Sequence, residues 1–449
     1  MAGPGAIMVS YFSDEFHYSD VEASTLFAFS AIGYVLFGLL TGTIIDRIGI
    51  KNSLVLGGVL GMFCSILIAL AWSRGVLIFA VVVLLPLATS FVTPVIKIAQ
   101  KRYTYGENKR ISFMLAYLIY NFGVAFSFFY VDFIRYRFSE GVRFRSYSAT
   151  AARVIFMSGA VSILLGSIVA ACGLRDIMVD DKGTIKPFSM NSDITNEQSS
   201  QNEKIRKSWY KTFCEPNFVR FVVYSVIMFP LLKMFTHFDV TFPKASLRQL
   251  GPTVAFGSIK AINPIMIFLL QPYFSHWFRN LHKYKVITIG SVIAASSVFI
   301  FCAPPSYESW SAAFVFFTIG EMIFSHRVDD LATDFMPKGR EGTYSTLMGI
   351  YLIVPGYIIN SMSGWLLSTY CPLDGERHCQ MMWFIIGLMA CITPVLLVPL
   401  EKYLLGGERK VLQEVELEKT PGSYPVEEPP PIKLDETHDN DYSQVKVEN

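Results

Sequence analysis

Eleven apolar runs, each long enough for a helix that crosses a bilayer, decide what this chain can fold into. Crossing roughly 30 Å of hydrocarbon takes about 20 apolar residues. Eight stretches hold no Asp, Glu, Lys or Arg: 23–45, 52–73, 75–96, 111–131, 154–174, 286–307, 342–373 and 378–400. Three more are crossed by one charge each, 221–238 by Lys233, 249–278 by Lys260 and 309–326 by Glu321. A 449-residue chain that is 52% hydrophobic and 16% charged cannot hide such runs in ordinary soluble domains, so the bilayer is the expected solvent. The expected class is an all-α polytopic membrane protein.

Loop charge predicts orientation, because Lys and Arg are retained on the cytoplasmic side during insertion. Gaps 46–51, 97–110, 175–220, 279–285 and 327–341 hold 21 Lys and Arg against 9 in the alternate gaps, which assigns the first set to the cytoplasm. Arg135, Arg137, Arg143, Arg145 and Arg153 fall on the other side, and nothing in the sequence explains that cluster. From Gly406 onward there are 11 acidic and 5 basic residues in a proline-rich segment, which reads as a disordered cytoplasmic tail, 406–449. The formal net charge of +2 thus hides a basic membrane region, accounted for by its cytoplasmic loops without nucleic acid.

Five runs precede the long gap and six follow it. The expected division is an N-terminal bundle over 1–174, a cytoplasmic linker over 175–216 and a six-helix C-terminal bundle over 217–405. Residues 1–12 are apolar, but twelve residues rise only about 18 Å as a helix, short of a crossing. Eleven full spans and an N-terminal stub of a first helix are therefore expected.

Between the first two runs stands GTIIDRIGIK, residues 42–51. Its pattern, Gly42-x-x-x-Asp46-Arg47-x-Gly49-x-Lys51, resembles the signature loop between helices two and three of the major facilitator superfamily. The resemblance implies two pseudo-symmetric helical bundles joined by a long cytoplasmic loop, with transport by alternating access. It makes these five residues gate parts. Gly42 would let two helices approach, Asp46 would sit at a helix end facing the other bundle, Arg47 and Lys51 would pair with carboxylates or lipid phosphate, and Gly49 would supply a positive φ. No equivalent acid–base pattern occurs in QPYFSHWFRNLHKYK.

Three further stretches resemble the proton-coupled oligopeptide transporter family and its protist relatives. They are FVTPVIKIAQKRYTYGENKRISFMLAYLIYNFG, which ends in Asn121-x-Gly123; INPIMIFLLQP, residues 262–272; and IGEMIFSHRVDDLATDFMPKGREGTYSTLMG, residues 319–349, with its Gly320-Glu321 pair. The resemblance implies a peptide-like solute and a proton. Departures from the family are visible: its helix-one ExxERF motif has no counterpart, its helix-four lysine aligns with Thr93, and its Ser-Pro after the glutamate is Ser325-His326.

A charged side chain at mid-helix costs roughly 2.5–3.5 kcal/mol on insertion scales, so it tends to face a water-filled cavity and to have a partner. By helical rise Lys233 lies about 18 Å from the inner end of its run, Glu321 about 18 Å from the outer end of its own, and Lys260 about 10 Å deep if its helix begins near Thr253. The functional reading gives Glu321 a substrate amine or a proton and gives Lys233 or Lys260 a carboxylate; a structural ion pair between helices is the alternative. Asn121 and Asn263 either line the same cavity or hydrogen-bond a neighbouring helix. Asn263-Pro264 predicts a kink.

Cys371 and Cys379, in CPLDGERHC on the outer side, are the candidate disulfide. No GxSxG, GxxxxGKS, HExxH or paired CxxC occurs, so neither an enzyme nor a bound metal or cofactor is expected. The expected function is secondary active transport of a small polar organic solute, with a proton as candidate coupling ion and the lipid bilayer as surroundings, in a plasma or organelle membrane. Two alternatives are the same fold carrying an amino acid or nitrate, and a non-transporting membrane sensor that signals through its tail.

Overall fold

The computed structural model describes residues 2–104, 108–144, 147–179, 185–187, 216–278, 281–335 and 341–406. Most of the expected linker and tail therefore lies outside the described residues. Helices form α1 Ala2–Phe16, α2 Asp20–Ala69, α3 Arg74–Phe79, α4 Leu85–Tyr103, α5 Asn108–Arg137 and α6 Ala151–Gly173. After the long gap come α7 Pro216–Leu232, α8 Met234–Leu250, α9 Phe256–Trp277, α10 Lys283–Ser297, α11 Tyr307–Asp334, α12 Glu341–Tyr370 and α13 Cys379–Leu405. A π turn, Ala80–Leu84, joins α3 to α4, and a 3-10 turn, Val298–Cys302, extends α10. Two short antiparallel hairpins complete the described structure, β1 Val142–Phe144 with β2 Tyr147–Ala149, and β3 Ile177–Val179 with β4 Ile185–Pro187.

All eleven apolar runs fall on helices for most of their length, the run 249–278 being interrupted at 251–255. By length and composition, eight helical stretches among the described residues are suited to crossing a membrane. The runs 249–278, 309–326 and 342–373 lie on α9, α11 and α12, helices of 22, 28 and 30 residues. The stub, α1, has 15 residues, longer than the twelve expected, and buries Ile7, Met8, Val9, Tyr11 and Phe12. Residues up to Leu404 pack as one compact unit.

The first two runs are arms of a single long helix broken at one residue. Gly49 has φ 82° inside α2, a conformation open to glycine and strained for other residues, and the chain turns there. The Asp176 carboxylate fills the corner. Its Oδ1 accepts from the backbone N–H groups of Ile50 and Lys51 at 2.8 and 3.2 Å, the otherwise unpaired donors at the start of the second arm. At the other end of α2, Ser19 and Glu22 form a reciprocal capping box.

α7 and α8 are one 35-residue stretch, Pro216–Leu250, interrupted at Lys233. Pro230 lacks the N–H that would continue the ladder. The hydroxyl of Thr393 on α13 enters the gap, accepting from Leu231 N–H at 3.3 Å and donating to the Ile227 carbonyl at 2.7 Å. Residues 239–248, read from their charges as an outer gap, are helical, and Lys244 is buried within them.

α9 begins at Phe256, after a turn at Gly251 with φ 95°. Asp132 of α5 fixes that start: its carboxylate accepts from Gly257 N–H, Ser258 N–H and Ser258 Oγ at 3.0, 2.5 and 2.8 Å. Lys260 thus sits four residues into α9, about 6 Å along the axis, nearer the helix start than a beginning at Thr253 predicted.

The helices before and after the long gap meet along two seams. The first arm of α2 packs on α12 so closely that a Cβ on Gly364 would collide with the Asp20 carbonyl, and Thr25 donates to Ser361 at 3.2 Å. α5 packs on α9 through Phe128 and Ala261, with Val124 and Ile265 beside them.

Candidate functional site

Helices from both sides of the long gap line a half-open cavity of about 570 Å³. Its walls are mostly apolar, with Met8 of α1, Phe27, Ala31 and Val35 of α2, Leu85 and Pro86 of α4, and Phe156 of α6. Lys233, Gly356 and Asn360 face them from the later helices. Lys233 arrives there because it stands at the break between α7 and α8. Its ammonium lies 5.4 Å from the Phe229 ring centroid and 3.8 Å from where a Cβ on Gly356 would be, so the absence of a side chain at Gly356 leaves it room. Among the described residues no carboxylate or other acceptor pairs with Lys233.

Glu321 is buried, but on a different wall. A Cβ on the preceding Gly320 would meet Ala294 N of α10 at 2.5 Å, so that face of α11 is pressed against α10. The next residue is turned about 100° around the helix axis and faces α9. There Asn263 donates one amide N–H to Glu321 Oε2 at 2.6 Å and one to Thr318 Oγ1 at 3.0 Å. Further along α9 and α11 Gln271 contacts His326 at 3.3 Å, and the Tyr117 ring of α5 meets the His326 ring edge-on at 5.3 Å.

The opposite charges singled out in the sequence are therefore not brought together. Lys260 pairs with Asp239 at 2.6 Å and lies over the Phe128 ring, while Glu321 has no cationic partner among the described residues. Asn121 is buried and donates to the Tyr117 carbonyl of its own helix at 2.9 Å. Thr93 is exposed on α4 and is not among the cavity residues.

Of the five gate candidates, Gly49 makes the turn described above and Lys51 donates its backbone N–H there. Arg47 is exposed, and the Asp46 side chain lies outside the described residues. Gly42 does not mediate a close approach: nothing lies within 4 Å of where its Cβ would be, because the face of α2 it occupies is open.

A second charged centre, not singled out in the sequence, joins the two sets of helices at the end that loop charge assigns to the outside. Asp20 Oδ1, at the start of α2, receives both Lys244 Nζ and Arg248 Nη2 of α8 at 2.8 Å. Lys244 Nζ also donates to Ser13 Oγ at 2.6 Å. The only hint in the sequence is the i, i+4 spacing of Lys244 and Arg248, which places both on one helical face if the helix continues that far. Arg248 Nη1 donates to the carbonyl of Cys371, which is disulfide-bonded to Cys379, and Arg377 within that loop donates to the Arg248 carbonyl.

Two of the unexplained arginines, Arg135 and Arg153, find partners at the same end. Arg135 donates to the carbonyls of Val254 and Pro252 at 2.9 and 3.0 Å, faces Asp132 and stacks on Phe256. Arg153 pairs with Glu15 at 2.9 Å and reaches the carbonyls of Ala69 and Ala71. These two are bound by the protein itself, which overrides a simple charge count for that gap.

Over residues 1–359 the chain matches the family model of the Major Facilitator Superfamily. No curated protein sequence matches it. Its fold is similar to a solved structure described as a proton-dependent oligopeptide transporter, with TM-score 0.69, 13% identity and coverage of 90% of this chain and 95% of that one. A bacterial homologue of the human drug peptide transporters PepT1 and PepT2 gives 0.67 at 14% identity, covering 91% and 95%. A point mutant of the nucleoside transporter NupG gives 0.63 at 13%, covering 89% and 96%.

Proposed function

The chain belongs to the major facilitator superfamily, and on that premise we propose that it is a multi-pass secondary transporter carrying a small organic solute by alternating access to one central cavity. The observation that carries this reading is the cavity of about 570 Å³ whose walls come from helices on both sides of the long gap. Ligand sites for small organic molecules span roughly 300–1,000 Å³, so the volume suits the solute class. Peptide-like and nucleoside-like solutes enter as candidates through the proteins of similar fold.

In this reading the Asp20–Lys244–Arg248 cluster is a latch that holds the outer ends of α2 and α8 together. Its release lets the bundles rock. At the opposite end the turn at Gly49, held by Asp176, carries Asp46, Arg47 and Lys51 as gate parts. Gly42, with open space around it, drops out of the gate. Glu321 is the candidate carrier of a coupling proton, because its carboxyl can donate to the Asn263 amide oxygen when protonated and accept from the amide nitrogen when ionised.

The test is transport by the purified protein in liposomes. A pH gradient should drive accumulation of at least one solute from a panel of dipeptides, nucleosides, amino acids, nitrate and organic acids. Glu321→Gln should remove the accumulation and spare solute exchange at equal pH. A protein that moves no member of the panel in either assay, yet captures a partner through its tail, would take the sensor reading instead.

A further inference from the structure

We infer that the cavity at Lys233 selects a small organic monoanion, a carboxylate on an apolar body, over amines and zwitterions. The inference rests on the transporter reading only in taking this cavity as the transport site. Lys233 brings an ammonium to a wall that is otherwise largely hydrocarbon, and among the described residues nothing neutralises it. A charge taken out of water needs a partner. Among the described residues none supplies that partner, and an anionic occupant of the cavity would.

The remaining polar groups of the cavity restrict the occupant further. Ser30 and Thr89 hydroxyls are committed to carbonyls of their own helices, at 2.6 and 2.9 Å. The Asn360 amide nitrogen is bound to the Gly356 carbonyl at 2.9 Å, and its Oδ1 is buried without a partner among the described residues. Tyr34 and Ser65 add neutral hydroxyls. Among the described residues no carboxylate lines the cavity, and Glu321, the acid that would receive an amine, is bound to Asn263 elsewhere. A dipeptide or amino acid would therefore bury its ammonium without a counter-charge. A monocarboxylate with a short alkyl or aryl body matches one cation and apolar walls.

Binding and flux are to be measured separately with the full-length protein, using hexanoate and 3-phenylpropanoate as anions, hexylamine as the matched cation and dialanine as the zwitterion. The expected result is that the two carboxylates bind the wild type at least tenfold more tightly than hexylamine or dialanine. Lys233→Met should lose at least tenfold in carboxylate affinity, and Lys233→Arg should restore most of it, while both variants keep the wild-type melting temperature without ligand to within a few degrees. Tighter binding of hexylamine or dialanine, failure of both carboxylates to bind, or undiminished carboxylate binding by a folded Lys233→Met protein would overturn the inference. If Lys233→Met does not fold, the Lys233→Arg comparison and the preference among the four probes still decide it. Flux of dialanine without carboxylate binding would leave the transporter standing and remove the anion. Carboxylate binding with no flux of any probe would do the reverse.

Discussion

Gly49 shows how much one residue can fix. Its positive φ turns the chain between two arms of α2, and a Cβ there would meet the Asp176 carboxylate at 2.9–3.0 Å. Two costs would add in Gly49→Ala, a strained backbone and a displaced cap, the first worth about 1–3 kcal/mol. Thermal unfolding in detergent should show a melting point several degrees lower. Asp176→Ala alone should cost about 1 kcal/mol, the usual value of a lost N-terminal cap. In an Asp176→Ala background the further effect of Gly49→Ala should shrink, because the carboxylate it collides with is gone. Equal effects in both backgrounds would mean that the corner is held by something other than this contact.

The motif made Gly49 legible before any coordinates, since a glycine at a tight turn answers to backbone sterics alone. Glu321 was legible only by half. An acid in an apolar run has to be buried or to face water, but the identity of its partner depends on which face Gly320 presses against α10. Asn263 was legible as a polar side chain that lines a cavity or hydrogen-bonds a neighbouring helix; that Glu321 is its partner depends on how α9 packs on α11.

At the scale of elements, the apolar runs fall on helices among the described residues, and two boundaries are misjudged. α8 continues through residues 239–248 because Lys244 and Arg248 meet Asp20, a partner more than 200 positions away in the chain. A local window counts those charges as solvated and ends the span. α9 starts late because Asp132, on another helix, caps it at Gly257 and Ser258. Both errors have one origin: charged side chains far away in the chain set these helix ends, and a single sequence does not display such contacts.

The break between α7 and α8 carries its own prediction. Thr393→Val keeps the shape of the side chain and removes the hydroxyl that serves Leu231 N–H and the Ile227 carbonyl. Leaving a buried donor unsatisfied costs about 1–3 kcal/mol. The melting point should fall, and hydrogen exchange should rise locally around residues 227–233, where Lys233 is presented to the cavity. Exchange that rises uniformly over the molecule would argue against a local repair.

For the whole molecule, the two ends of the packing differ in kind. The end assigned to the outside is tied by buried ions, Lys244 at 4% side-chain exposure and Arg248 at 9%, sharing one carboxylate of Asp20. Removing one partner of such a cluster leaves the others charged and dry, a loss of about 3–5 kcal/mol when no rearrangement relieves it. Separation of the bundles at that end, which would let water reach the two cations, is the available relief. Asp20→Asn should therefore shift the conformational balance towards opening at that end more than it lowers stability. Reaction of a cysteine placed at Ser361, which accepts a hydrogen bond from Thr25 across the seam, with a membrane-impermeant maleimide should rise severalfold in Asp20→Asn relative to the parent. The disulfide loop adds a second handle on the same latch, because the Cys371 carbonyl holds Arg248 in place. Cys371→Ser with Cys379→Ser should raise the same labelling by a smaller factor and add little on top of Asp20→Asn. Additive effects would mean that the loop and the latch act on separate equilibria, and unchanged labelling in Asp20→Asn would mean that the ions are packing, with the seam between α2 and α12 held by its apolar contacts alone.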